Sequence, residues 1–200
     1  FKANDNKNEE HEINYRQFNK KLELLNQILS LISDINQASD EKEVKDCIPA
    51  LLQYTGEYTD ADRVYIFELL SEKQDYYSNT FEWCREGIIP QIDNLIRISA
   101  DSMPVWHKKF LCGETIIIHD LEKIRETMPS EYDILKVQDI HSLLVLPLFA
   151  NTQLSGFIGL DNPELVNPGV SISLLSNAGG HLASTLNNLR MFRMLEEKQK

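Results

Sequence analysis

Residues 142–161 read SLLVLPLFANTQLSGFIGLD, and their reading decides the fold. Ser142–Phe149 is apolar at both alternating sets of positions, as a strand covered on both faces requires. Asn151–Gln153 is polar and turn-forming. Leu154–Asp161 is a second run of strand length that contains Gly156 and Gly159. A glycine inside a strand often lets another backbone come close. Two strands joined by so short a turn form a hairpin and pair antiparallel.

The same pattern recurs upstream. Arg63–Leu70 (RVYIFELL) is apolar on both alternating sets and reads as a central strand. A polar turn over Ser71–Asp75 leads to Tyr76–Arg85, rich in aromatic and β-branched residues, the second arm of a hairpin. Gly87 ends it, and Pro90 and Asp93-Asn94 mark a loop. Ser102–Leu111 predicts a short helix capped by Asp101 or Ser102, with Pro104 in its first turn and Gly113 as its stop. Thr115–His119 (TIIIH) is a further strand. The charged stretch 121–140 holds one short helix from about Pro129. Successive hairpins with helices outside them predict an α+β fold and argue against a doubly wound α/β fold.

Helices bracket this sheet. Phe18, Leu22, Leu25, Leu29 and Ile32 are spaced 4-3-4-3, a heptad seam. Leu24, Ile28, Leu31 and Ile35 form a second stripe, so this helix is expected to make two buried contacts, one to its own domain and one elsewhere. Ser39 or Asp40 caps a second helix running to about Gly56, with Val44, Ile48, Leu51 and Leu52 inward. From Ser171 the chain is helical to its end, with Leu175, Ala178, Leu182, Thr185, Leu189 and Phe192 again in heptad register. The expected organisation is a frayed segment over 1–16, a domain over 17–190 that includes both terminal helices, and an outgoing helix over 191–200. The chain begins with Phe1 and reads as an excised piece of a longer one.

A net charge of −11 repels nucleic acid and anionic membrane, so neither is an expected partner. No apolar run reaches the roughly 18 residues of a membrane helix. Cys47, Cys84 and Cys112 are far apart and form no CxxC pair, which favours a reducing, cytoplasmic setting over a disulfide framework.

The element order, together with FEWCREGIIPQIDNL (81–95), the step from Trp106 through GETIIIHD to Asp120, and the closing hairpin, resembles a GAF domain over about Leu22–Leu189. The first of these stretches is similar to a bacterial subgroup. The resemblance implies a GAF-like fold, related to profilin and PAS arrangements: a twisted antiparallel sheet of five to six strands, terminal helices on one face and a small-molecule pocket on the other. It also implies a sensory, non-catalytic module upstream of a kinase, diguanylate cyclase or phosphodiesterase domain. The heptad helices fit a homodimer paired through Phe18, Leu22, Leu25, Leu29, Leu182 and Leu189.

The pocket residues expected on this basis are Trp83, Arg85, Trp106, His107 and Asp120. The tryptophans serve as walls, and Arg85 and His107 as polar anchors. Core packing for the tryptophans and solvation for Arg85 are the bland alternatives. Family members that reduce free methionine sulfoxide use paired cysteines. Here Cys112-Gly113 lies at a helix end, and Asp139-Ile140-His141 stands where the second cysteine is expected, so a thiol-dependent enzyme using Cys84 or Cys112 is the lesser reading. Covalent bilin is not expected, because neither Cys84 nor Cys112 precedes a histidine. Cyclic nucleotide lacks its spaced Asp-Glu pair after Phe110, and haem has only lone histidines such as His107 and His141. The set His107, Cys112, His119 and Asp120 fits no usual zinc spacing. A ligand-free dimerisation module remains the other alternative.

Overall fold

The structure, a computed structural model, describes residues 2–69, 75–165 and 167–198. Helix α1 (Lys2–Gln37) is followed by α2 (Glu41–Thr59), β1 (Arg63–Leu69), β2 (Tyr76–Cys84), β3 (Ile98–Ser99), α3 (Pro104–Leu111), β4 (Ile116–Ile118), α4 (Pro129–Lys136), β5 (Leu143–Ala150), β6 (Gln153–Asp161) and α5 (Pro168–Lys198). The turn expected at Ser71–Asp75 lies outside the described residues except for Asp75. Helix α1 begins at Lys2 and so takes in residues 2–16, where a frayed segment was expected.

The six strands form one antiparallel sheet in the order β3-β2-β1-β6-β5-β4. Helices α1, α2 and α5 cover one face. Asp40 caps α2 by accepting from the Glu43 N–H at 2.9 Å, and the Glu43 carboxylate returns to the Ser39 N–H at 2.7 Å. The buried side of α1 is Leu24, Ile28, Ile32 and Ile35, close to the second stripe read from the sequence. It packs with Val44, Ile48 and Leu51 of α2 against Val64, Ile66, Leu146 and Ile158 of the sheet. Burying each such side chain contributes about 1.5–3 kcal/mol. On α5, Leu175, Ala178 and Leu182 point into this core and Leu189 packs at its edge. Leu182, expected in a dimer seam, therefore belongs to the domain's own core, because α5 lies flat on β5. The exposed heptad on α1 is Phe18, Leu22 and Leu29, with Leu25 half-buried beside the core.

Lys21 of α1 meets Glu164, just before α5, at 3.2 Å, and Arg190 late in α5 meets Glu41, just after α1, at 3.7 Å. The two terminal helices thus run parallel. The N-terminal part of α1 projects at one end of the domain and α5 leaves at the other.

Candidate functional site

Strand alternation sends Val64 and Ile66 of β1 to the helix layer and Arg63, Tyr65 and Phe67 to the opposite face. Across β6 the partners of that second set are Asp161, Gly159 and Phe157. A Cβ at Gly159 would meet the Tyr65 ring at 2.3 Å, so only glycine lets that ring lie flat. Phe157 stacks on Phe67 at 4.6 Å and on Phe110 at 5.0 Å, with Tyr77 and Trp106 edge-on to it at 5.1 and 6.2 Å. Helices α3 and α4 roof this aromatic face.

Beneath the roof is a cavity of about 40 Å³. That is room for about three waters and well below the roughly 300 Å³ of a drug-sized site. Its walls include Tyr65, Phe67, Trp106 and Phe157, but it is also lined by Arg63, Asn79, Glu82, Glu131 and Asp161. The Arg63 guanidinium lies 3.3 Å from the Asp161 carboxyl and donates to the Gln138 carbonyl at 2.8 Å and its side-chain oxygen at 3.2 Å. Glu131 of α4 accepts from the Val105 and Trp106 N–H groups at 2.7 and 3.1 Å, and so caps α3, whose own cap position, Met103, makes no side-chain bond. That corrects the expected Asp101 or Ser102 cap. A carboxyl from across the roof takes the place of the local one, because a separate 3-10 turn at Ala100–Ser102 intervenes. Glu82 accepts from the Gln91 and Ile92 N–H groups and from Asn79 Nδ2.

Burial pushes the Asp161 carboxyl up from 3.8 to about 7, against the pull of Arg63, with Glu82 and Asp62 adding to the rise. Burial and the Asp161 charge likewise hold the Tyr65 phenol well above its ordinary range. A carboxyl whose folded value is raised binds a proton in the folded chain before the unfolded one, so its contribution favours folding at low pH and is lost as pH climbs. Relative to an Asp161→Asn variant, the wild type should therefore lose stability between about pH 4 and about pH 7, by on the order of 4 kcal/mol. Urea unfolding of both proteins across that range checks this; parallel curves would contradict it.

The expected site residues are scattered. Trp106 lines the cavity. His107 stands one step away, its Nδ1 2.8 Å from the Tyr77 hydroxyl. Trp83 is on the other face of the sheet, packed into the helix layer against Gly56, where a Cβ would meet its ring at 2.0 Å. The cause is a bulge. Ile66 pairs with Phe81 and Phe67 with Asn79, which leaves Thr80 unmatched. Beyond it the facing of β2 is reversed, so Glu82 points into the cavity and Trp83 away. Arg85 donates to the Ala61 carbonyl at 3.1 and 3.2 Å beside Asp60 and Asp62, away from the cavity. Asp120 is exposed and caps the 3-10 turn Leu121–Ile124. The sequence reading missed Arg63, Asn79, Glu131 and Asp161. The signal was present in part: a cation opens one apolar strand and a carboxyl closes another.

Among the thiols, burial and the nearby Glu82 push Cys84 up to about 12, so it stays protonated at neutral pH and is a poor nucleophile. Cys112 is exposed and Cys47 half-buried. Among the described residues, no group of three His, Cys, Asp or Glu side chains is placed to hold a metal ion, and no helix is long and apolar enough to cross a membrane.

Comparison with known proteins agrees with this architecture. The crystal structure of the phycoerythrobilin-bound GAF domain of a cyanobacterial phytochrome is similar, with a TM-score of 0.66 at 16% identity over 85% of this chain and 97% of that one. The GAF domain of an Acinetobacter phosphoenolpyruvate-protein phosphotransferase gives 0.62 at 13% identity over 84% and 94%. The methanogenesis regulatory histidine kinase FilI of Methanothrix harundinacea (strain 6Ac) is 32% identical over 146 residues, 70% of this chain. The chain spans only 16% of that kinase's length. The GAF domain family itself matches residues 43–172, from early α2 into the start of α5. With the sheet order, the roofed aromatic face and this match in agreement, the chain belongs to the GAF domain family.

Proposed function

We propose that this GAF domain is a non-catalytic sensory module of a cytoplasmic signalling protein, binding a small molecule in the cavity under α3 and α4 and regulating an output domain such as a histidine kinase. The observation that carries this reading is the set of buried polar atoms on cavity-lining residues that make no hydrogen bond: Arg63 Nε, Asn79 Oδ1, Trp106 Nε1, Glu131 Oε2 and Asp161 Oδ1. Each unmade bond costs about 1–3 kcal/mol, and a bound molecule offsets that cost. The roof couples to the same site, since one Glu131 oxygen holds α3 and the other faces inward. Native mass spectrometry of freshly purified protein tests the reading. A non-covalent added mass supports it; bare protein at low desolvation energy contradicts it. A tetrapyrrole, as held by the phytochrome relative, does not fit a cavity of this size.

We further propose that the exposed side chains Phe18, Leu22 and Leu29 of α1, with Met191, Phe192 and Leu195 of α5, form a parallel dimer seam. The parallel course of the terminal helices supports this, because a ligand that shifts one helix against the other then passes displacement from one end of the domain to the other. Light scattering should show a dimer, and Leu22→Glu combined with Leu29→Glu should show a folded monomer. A wild-type monomer would remove the seam. The second reading is a ligand-free dimerisation module, favoured by how far the stacked rings of Phe67, Phe110 and Phe157 fill the pocket side. A dimer without added mass would shift the assignment to it.

A further inference from the structure

Resting on the pocket reading above, we infer that the cavity's ligand is a compact organic cation bearing several N–H donors, of the alkylammonium or guanidinium class. The partnerless atoms are unevenly divided. Acceptors are Asn79 Oδ1, Glu131 Oε2 and Asp161 Oδ1, with Asp161 Oδ2 taken by the Arg63 ion pair, whereas the donors are Arg63 Nε and Trp106 Nε1. Arg63, Asn79, Trp106, Glu131 and Asp161 are all more than nine-tenths buried and all line the same cavity. A ligand that satisfies these atoms must therefore donate more than it accepts.

Charge points the same way. Among the described residues lining the cavity, the carboxyls of Glu82, Glu131 and Asp161 face the single guanidinium of Arg63. Glu82 is committed to the backbone N–H groups of Gln91 and Ile92, and Arg63 to Gln138 and Asp161. Glu131 Oε2 and Asp161 Oδ1 keep acceptor capacity free. Buried carboxyl oxygens left open favour a cationic partner, since a charge-assisted bond is stronger than a neutral one. The remaining walls are aromatic faces and edges from Tyr65, Phe67, Trp106 and Phe157, which also attract cations. Metal ions are disfavoured, because among the described residues no three carboxyl, imidazole or thiol groups are placed to share one. A quaternary ammonium would suit the rings but would leave every acceptor unmade. The small volume limits the buried part to a few heavy atoms, the size of a methylammonium or methylguanidinium head.

The chain's two tryptophans make the test direct. Trp106 borders the cavity and Trp83 lies in the helix layer, so their indole N–H signals in a ¹H–¹⁵N spectrum act as probe and internal control. Methylguanidinium chloride and methylammonium chloride are titrated against tetramethylammonium chloride, sodium acetate and acetamide at matched ionic strength. The expected result is a saturating shift of the Trp106 signal with at least one N–H cation, an unmoved Trp83 signal, and no saturation with the other three. Glu131→Gln keeps an acceptor for the α3 N–H groups and removes the charge, and should weaken that binding by about tenfold or more. The wild-type comparison of probes stands by itself if that variant does not fold. Saturation with acetate, acetamide or tetramethylammonium in place of the N–H cations would overturn the ligand class while leaving the pocket reading in place. If no probe moves Trp106 and its indole shows cross-relaxation with bound water, the cavity holds water and both readings fall.

Discussion

Phe157→Ala is expected to destabilise the domain by about 3–5 kcal/mol, the range for deleting a fully enclosed phenylalanine. Its ring is the hub of the aromatic face, in contact with Tyr65, Phe67, Tyr77, Trp106 and Phe110. Truncation removes its own transfer energy and also the packing that each of those rings makes against it. The neighbours come from β1, β2 and α3, so no single segment can move in to fill the void. Urea unfolding should show the loss. The Trp106 fluorescence environment should change even under folding conditions, because its edge contact with Phe157 is gone. A loss below about 1.5 kcal/mol would mean that the roof collapses onto the sheet and closes the void, contrary to this expectation.

One residue earlier the expected damage has a different origin. Gly156 carries φ +154, and a Cβ there would sit 1.9 Å from the Phe67 carbonyl oxygen of β1. That contact is with backbone in the middle of the sheet, where neither strand can give way without breaking the β1–β6 ladder. Gly156→Ala is expected to cost about 3 kcal/mol or more, through sheet distortion and not through a cavity. Gly180 in α5 is the matched control, since a Cβ there meets nothing within 4 Å. Gly180→Ala should gain up to about 1 kcal/mol from helix propensity alone. Thermal unfolding of the two variants side by side separates them. Equal behaviour would refute the steric account.

The elements whose residues obey a simple period were legible in the sequence. The unbroken apolar runs of β1 and β5 and the short turn before β6 located the centre of the sheet, and Asp40 marked the start of α2. Strand β3 was not legible, because two residues, Ile98 and Ser99, carry no period. The heptads of α1 and α5 were visible, but a repeat cannot say which stripe meets its own sheet. That is why Leu182 moved from an expected seam to the core while Phe18 stayed outside. At the site, Trp106 was placed by its helix. Arg63 and Asp161 each look like a solvated charge at a strand end, and only the β1–β6 register sets them opposite one another. Glu131 belongs to a helix remote in sequence from the α3 N-terminus it holds. The facing of Trp83 was misread because alternation assumes an unbroken pleat.

The unmatched residue Thr80 makes the length of β2 matter as much as its composition. Midway along the strand, one surplus residue lets Tyr77 and Asn79 serve one side of the sheet while Phe81 and Trp83 serve the other. Deleting a single residue there would act as a frameshift in three dimensions: every side chain from Phe81 to Cys84 would trade sides. The Glu82 carboxyl would be driven among the leucines and isoleucines of the helix layer, and an indole would be forced into a space that admits about three waters. This strand should therefore accept exchanges of residue far more readily than changes of length, and natural relatives that keep a carboxyl facing the cavity from this position should keep the surplus residue with it.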